Sequence, residues 1–230
     1  MSDPLPPAPA GFPDSPTTFA LPGPAGTLEV ATAVPEAECA RAGTVVICHP
    51  NSQQGGTMRN KVVTMLERSL RECGLATVRF NFRGVGASTG AFDNGDGESG
   101  DLVAVAQWVR KSRPGDALWL AGFSFGSYVA LRNARSLGAD ALLLIAPPAG
   151  MYDFGEIAAP GCPWLVVQGE EDEVVDPQAV FDWIGGLDPK PILIRMPDTG
   201  HFFHRRLMDL RGAVKNSVRG WLPGPLCDRP

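Results

Sequence analysis

Gly122-Phe123-Ser124-Phe125-Gly126 stands directly behind the apolar run Ala117-Leu118-Trp119-Leu120-Ala121 and ahead of a helical run, which predicts a serine on a tight strand-to-helix turn. Such a turn strains the serine backbone, tolerates only flanking residues without a Cβ, and lifts the hydroxyl above the sheet beside a helix N-terminus. The same pattern recurs by chance in a chain with 27 glycines, where it can mark a glycine-tight strand end with no chemistry. The surrounding sequence therefore has to decide.

Outward from this turn the punctuation is regular: an apolar β-rich run, a loop with Gly or Pro, a helical run, then the next apolar run. Strands are predicted at 27–33, 44–48, 76–82, 117–122, 141–146, 164–168 and 192–196, and all after the first read as continuous apolar runs suited to buried central positions. Helices are predicted over 58–73, with Val62, Leu66, Leu70 and Cys73 on one face before Gly74, over 101–111, and over 127–137. A last helix carries Phe203, Leu207, Leu210, Val214, Val218 and Trp221 at helical spacing, as core residues. This alternation predicts an α/β fold, a mostly parallel central sheet with helices on both faces. Residues 1–16, crowded with Pro, Ala and Ser, read as a disordered Pro-rich tail ahead of a single domain at 17–230. The stretch 147–163 is too short to build a cap domain.

Acids and histidines arrive at the same sheet edge. The run 164–168 ends in Gly169-Glu170-Glu171-Asp172-Glu173-Val174-Val175-Asp176-Pro177, and the next strand is followed by Asp198-Thr199-Gly200-His201-Phe202-Phe203-His204. Sites in parallel α/β sheets form beyond the C-terminal strand ends. A serine hydroxyl is a weak nucleophile near neutral pH; an imidazole can take its proton, and a carboxylate fixes the imidazole tautomer. His201, in a loop after Gly200, is the candidate base, with His204 its rival near the start of the last helix. Asp172, three residues past Gly169, is the candidate acid; Asp176 before Pro177 reads as a helix N-cap, and Glu170, Glu171 and Glu173 read as solvated.

A developing oxyanion needs two preorganised N–H donors. One is the residue after the serine, Phe125; the other is sought in His49-Pro50-Asn51-Ser52-Gln53-Gln54-Gly55-Gly56-Thr57 after the strand 44–48, with Asn51 the candidate. In Phe80-Asn81-Phe82-Arg83-Gly84-Val85-Gly86-Ala87-Ser88-Thr89-Gly90 the last glycine comes one residue too late for a dinucleotide fingerprint, so the stretch reads as the backbone of a loop at the site edge. Asp93, Asp96 and Glu98 lack a calcium-loop register and read as a solvated acidic loop capping the next helix.

The 230-residue chain, with 44% hydrophobic residues, is long enough for one large core. A net charge of −5 with scattered Lys and Arg argues against nucleic-acid or anionic-membrane partners. The opening Met1-Ser2-Asp3-Pro4 has neither the basic nor the apolar part of a secretory leader, which leads to a cytoplasmic expectation. Five widely spaced cysteines, Cys39, Cys48, Cys73, Cys162 and Cys227, are expected as reduced thiols, and no metal cluster is expected.

With these pieces placed, residues 17–222 resemble the α/β-hydrolase superfamily, and most closely its small lidless bacterial serine hydrolases. The resemblance rests on His49-Pro50 with Gly55-Gly56-Thr57-Met58-Arg59-Asn60-Lys61-Val62-Val63, on Asn81-Phe82-Arg83-Gly84-Val85-Gly86-Ala87-Ser88-Thr89-Gly90, and on the Ser124 pentapeptide. Where relatives often carry a second His-Pro pair, this chain has Asn51-Ser52. The resemblance implies a triad of Ser124, Asp172 and His201, oxyanion donors at Phe125 and Asn51, and no cofactor. The expected activity is cleavage of carboxylic esters of small molecules, with thioesters, perhydrolysis or carbon–carbon bond hydrolysis as enzymatic alternatives. A binding module that keeps the fold without activity is the non-enzymatic rival.

Overall fold

The computed structural model describes residues 4–226. Strands β1 (Thr17–Gly23), β2 (Gly26–Ala33), β3 (Gly43–Cys48), β4 (Ala76–Phe80), β5 (Ala117–Phe123), β6 (Ala141–Ile145), β7 (Trp164–Gly169) and β8 (Ile192–Met196) form one sheet in the order β1-β2-β4-β3-β5-β6-β7-β8. Strands β3 to β8 run parallel, while β2 pairs antiparallel with both β1 and β4. The helices are α1 (Lys61–Arg71), α2 (Asp96–Ser112), α3 (Phe125–Ala134), α4 (Pro177–Gly185) and α5 (Leu207–Ser217).

The period of two along each strand divides the core into two layers. On β5, Leu118 and Leu120 point into one layer with Leu102 and Val105 of α2 and Val129 of α3; Trp119, Ala121 and Phe123 point into the other with Leu66 of α1 and Val214 of α5. Each fully buried aliphatic side chain here contributes about 1.5–3 kcal/mol over its exposed state. Continuous apolar strands are what a sheet covered on both faces demands, so the α/β expectation holds, and Phe203, Leu210, Val214 and Val218 are core residues.

Three expectations need correction. Strand β8 is an edge strand, pairing only with β7 among the described residues, and its Ile192 is 45% exposed. Strand β1 lies outside the predicted strands: Pro16, Pro22 and Pro24 give Thr17–Gly23 breaker character, and it is held by its hairpin with β2. Residues 4–16 are not detached: Pro6 O accepts from Ala20 N at 2.8 Å, and Phe12 stacks on Trp108 at 5.6 Å beneath the Arg113 guanidinium. Their composition cannot order itself, but docking onto α2 supplies the missing surface. Residues 1–3 of the expected tail, and Cys227, lie outside the described residues. Cys39, Cys48, Cys73 and Cys162 are free thiols. The chain between β6 and β7 stays a short loop with no cap, and no helix among the described residues is long and apolar enough to cross a membrane.

Candidate active site

The strand-to-helix turn after β5 holds Ser124 at φ 53° and ψ −123°, in the left-handed region that strains a residue with a Cβ. The flanking glycines are there for space: a Cβ on Gly122 would lie 2.2 Å from the Gly126 carbonyl oxygen, and one on Gly126 would lie 2.3 Å from that of Cys48. The turn is fastened to β6, with Ser124 N donating to Ile145 O at 2.8 Å and the buried Ser127 hydroxyl donating to Gly122 O at 2.8 Å while accepting from Ile145 N at 3.1 Å. Ser127, expected only as a helix residue, is the clamp that keeps the strained turn closed.

Beyond β7, Asp172 is buried and fully engaged. Its Oδ1 accepts from Val174 N at 2.9 Å and Val175 N at 2.7 Å, and its Oδ2 accepts from Gln168 Nε2 at 3.0 Å and lies 2.8 Å from His201 Nδ1. Burial pushes its pKa up, but the His201 hydrogen bond and the Val175 and Val174 N–H groups outweigh it and hold the carboxyl below its ordinary value. An ionised Asp172 accepts Nδ1–H, which leaves Nε2 of His201 as the acceptor. The ring is held by Phe123 at 5.0 Å and Phe202 at 5.1 Å between centroids.

Two residues in this arrangement were missed. Glu173 is engaged rather than solvated: its Oε2 accepts from His201 N at 3.0 Å and would meet a Cβ on Gly200 at 2.5 Å, so it fixes the backbone that carries the imidazole. Gln168, read as the end of a strand, donates to the same Asp172 oxygen that faces His201. The N-cap reading of Asp176 holds, since its Oδ1 accepts from Gln178 N at 2.9 Å at the start of α4. His204 is exposed on the turn before α5 and does not reach Asp172.

Ser124 and His201 line one small cavity of about 40 Å³ with Pro50, Asn51, Gln54, Gly55, Gly56, Asn60 and Phe202. The loop after β3 is shaped by its own backbone: Asn51 O accepts from Gln54 N at 3.1 Å and Gly56 N at 2.9 Å, and a Cβ on Gly56 would lie 2.1 Å from Pro50 O. The N–H of Asn51 has no acceptor among the described residues, and that of Phe125 opens α3 ahead of the helix's own ladder. The Phe125 ring packs in one core layer against Phe82 and Phe92, while Phe123 and Phe203 are buried in the other layer and Phe123 backs the His201 ring; Phe202 borders the cavity.

His49 governs this loop. Its ring is fully buried, with Nδ1 2.7 Å from Pro50 O and Nε2 accepting from Phe82 N at 3.0 Å. Burial lowers its pKa to about 4, against the smaller upward effect of the Pro50 carbonyl, so the ring is neutral and its tautomer fixed. The glycine-rich stretch is tied to β2 and to the segment leading into α1. Buried Glu29 accepts from Asn81 Nδ2 at 2.8 Å and Ala87 N at 2.9 Å, Asn81 Oδ1 accepts from Met58 N at 2.9 Å, and a Cβ on Gly86 would lie 2.3 Å from Glu29 Oε2. Arg83 grips Asp101 through Nη2 at 2.9 Å. In the acidic loop, Glu98 is buried rather than solvated; it caps α2 by accepting from Gly95 N at 2.8 Å and Asp93 N at 3.0 Å, while Asp96 pairs with Arg132 at 2.8 Å. Among the described residues, no group of three His, Cys, Asp or Glu side chains is placed to hold a metal ion.

A parallel sheet that delivers a serine on so strained a turn, with its helix layers in place and only a short loop where a cap would be inserted, is the architecture of an α/β serine hydrolase without a lid. Solved structures agree: a lidless α/β serine hydrolase of Xanthomonas campestris is 56% identical over 94% of this chain and 99% of that one, with a TM-score of 0.91. An α/β serine hydrolase homologue from Coxiella burnetii is 41% identical, over 90% of this chain and 100% of that one, at a TM-score of 0.87. Residues 26–166 match the X-Pro dipeptidyl-peptidase (S15) family, and the chain belongs to that family. An uncharacterised protein of Rickettsia prowazekii is 31% identical over 84% of this chain and 85% of its own length.

Proposed function

We propose that the chain is a cytoplasmic serine esterase that cleaves carboxylic esters of small, soluble substrates through an acyl-enzyme on Ser124. One observation carries the reading: Ser124, at φ 53°, shares a cavity with His201, whose Nδ1 lies 2.8 Å from the buried Asp172 carboxylate. His201 Nε2 takes the proton of the Ser124 hydroxyl as Oγ attacks the ester carbonyl, and the oxyanion forms against the N–H groups of Phe125 and Asn51. The alcohol leaves with the proton that His201 held, and water attacks the acyl-enzyme by the same path in reverse. Asp172 keeps Nδ1–H directed and stabilises the imidazolium without taking the proton. The free thiols Cys39, Cys48, Cys73 and Cys162 suit a reducing compartment.

The test is covalent labelling with a fluorophosphonate probe followed by kinetics on a substrate panel. The adduct is expected on Ser124, and Ser124→Ala should lose the label and at least about 10³-fold in turnover. The panel sets p-nitrophenyl esters of rising chain length beside an acyl-CoA thioester and an X-Pro p-nitroanilide. A cavity of about 40 Å³ without a cap favours short acyl groups, so kcat/KM should peak early in the ester series. A dominant rate on the anilide or the thioester, or label retained in Ser124→Ala, would overturn the proposal.

A further inference from the structure

The small cavity at Ser124 opens beside a larger one of about 410 Å³ lined by Asn60, Lys61, Val62, Phe202, His204, Arg205 and Leu207. Asn60 and Phe202 border both, so the two lie side by side. The wall of the larger cavity carries two permanent cations, Lys61 and Arg205, and a histidine, with no acidic residue. Neither Lys61 nor Arg205 has an ion-pair partner among the described residues. The acid nearest in sequence, Asp209, is taken by Arg206 at 3.2 Å.

The backbone adds to the same field. Lys61 and Val62 open α1 and Leu207 opens α5, each of eleven residues, so the first turns of two helices meet at this cavity. Helix N-termini carry unsatisfied N–H groups and about half a positive charge. In α1 the Asn60 side chain satisfies Val62 N, but no side chain caps α5. At α1 the cationic side chain and the helix dipole add; at α5 the first turn also carries Asp209, which Arg206 neutralises.

The position of the cavity along the His201 loop says which part of a substrate reaches it. His201 must return its proton to the leaving oxygen, so the alcohol portion of the ester lies on the imidazole side. Phe202, His204 and Arg205 continue from that side.

Building on the esterase reading, we propose that the cavity lined by Lys61, His204 and Arg205 is a subsite for a compact anion, a carboxylate or phosphate, on the alcohol portion of the substrate. The enzyme is then selective for esters of anionic alcohols. The anion is held by charge and by N–H donors, and the scissile carbonyl is left over Ser124.

The test uses a matched pair, O-butyrylglycolate and its neutral isostere O-butyrylglycolamide. The ratio of their kcat/KM values is expected to favour the anion by about tenfold or more at low salt and to shrink toward one at high salt. Lys61→Gln and Arg205→Asn should each lower the ratio, and together bring it near one. Asn is chosen because Arg205 sits at φ 59°, which Asn tolerates. Each single variant tests the idea should the double variant not fold. Binding of both esters to Ser124→Ala, followed by NMR, separates this inference from the activity it builds on. Hydrolysis of both esters at a ratio near one, or a ratio indifferent to both substitutions, overturns the subsite and leaves the esterase intact. Selective binding of O-butyrylglycolate to Ser124→Ala, lost with Lys61 and Arg205, in a protein that hydrolyses neither ester, sustains the subsite and overturns the esterase. Neither binding nor hydrolysis overturns both.

Discussion

Acidification should act on this molecule first through His49. In the fold its ring is neutral, donating from Nδ1 to Pro50 O and accepting from Phe82 N, and its pKa is lowered to about 4 by burial. In the unfolded chain it titrates near 6.5. Between those values the unfolded state binds the extra proton, so stability is full above about pH 6.5 and falls as pH drops toward 4. The gap from 6.5 to about 4 corresponds to about 3 kcal/mol at 1.36 kcal/mol per pH unit. Paired carboxylates such as Asp172 lose their own contribution at lower pH, because their folded pKa lies below the ordinary value and stability is lost only as pH falls through it. The His49 part is isolated by His49→Gln, whose amide oxygen can still accept from Phe82 N but does not titrate. Urea unfolding of both proteins from pH 7.5 to 4 should show the wild-type advantage, about 1–3 kcal/mol at neutral pH for the lost Pro50 hydrogen bond, shrinking by a total of about 3 kcal/mol. With only three histidines in the chain, the His49 resonance can also be followed directly by NMR. An advantage that stays constant with pH, or a His49 titration near 6.5 in the folded protein, would refute the account.

The other expectations concern single side chains. Asp172→Asn should cut kcat by about 10⁴-fold by presenting a donor to His201 Nδ1, whereas Asp176→Asn keeps an N-cap for α4 and should cost under ~1 kcal/mol in urea unfolding with little effect on rate. Gln168→Met removes a donor to Asp172 Oδ2 together with a buried amide oxygen that has no partner, so kcat/KM should fall about tenfold with no loss of stability; a parallel loss of both would mean that Gln168 only packs. Gly126→Ala places a Cβ 2.3 Å from Cys48 O and should lower the melting temperature by several degrees and abolish fluorophosphonate labelling, while retention of wild-type labelling would contradict the crowding seen at the turn.

How much of this was legible follows from how far each feature reaches along the chain. The Ser124 turn is written in five consecutive residues because its collisions are with its own neighbours, Gly122 against Gly126, and the strands β3 to β7 declare themselves because burial on both faces leaves no polar alternation. The stretches that hold Asp172 and His201 could be located because the parallel sheet fixes the edge at which strand ends arrive. The parts that escaped depend on partners far off in sequence. His49 is a loop residue by its neighbours, and only Phe82, 33 residues on, makes it a pin for the Asn51 loop. Glu29 looks like the polar face of a strand until Asn81 and Ala87 close on it, and residues 4–16 look unstructured until Trp108 receives Phe12. Glu173 and Gln168 show why choosing among four neighbouring acids was hard. The distinction between Asp172 and Glu173 lies in which carboxylate meets the imidazole and which meets the backbone N–H of the same histidine, 29 and 28 residues away. A local signal for the first did exist: Val174 N and Val175 N fold back onto Asp172 Oδ1, which leaves only Oδ2 free for partners from elsewhere, and an aspartate followed two and three residues on by such donors is held in advance as a charged acceptor.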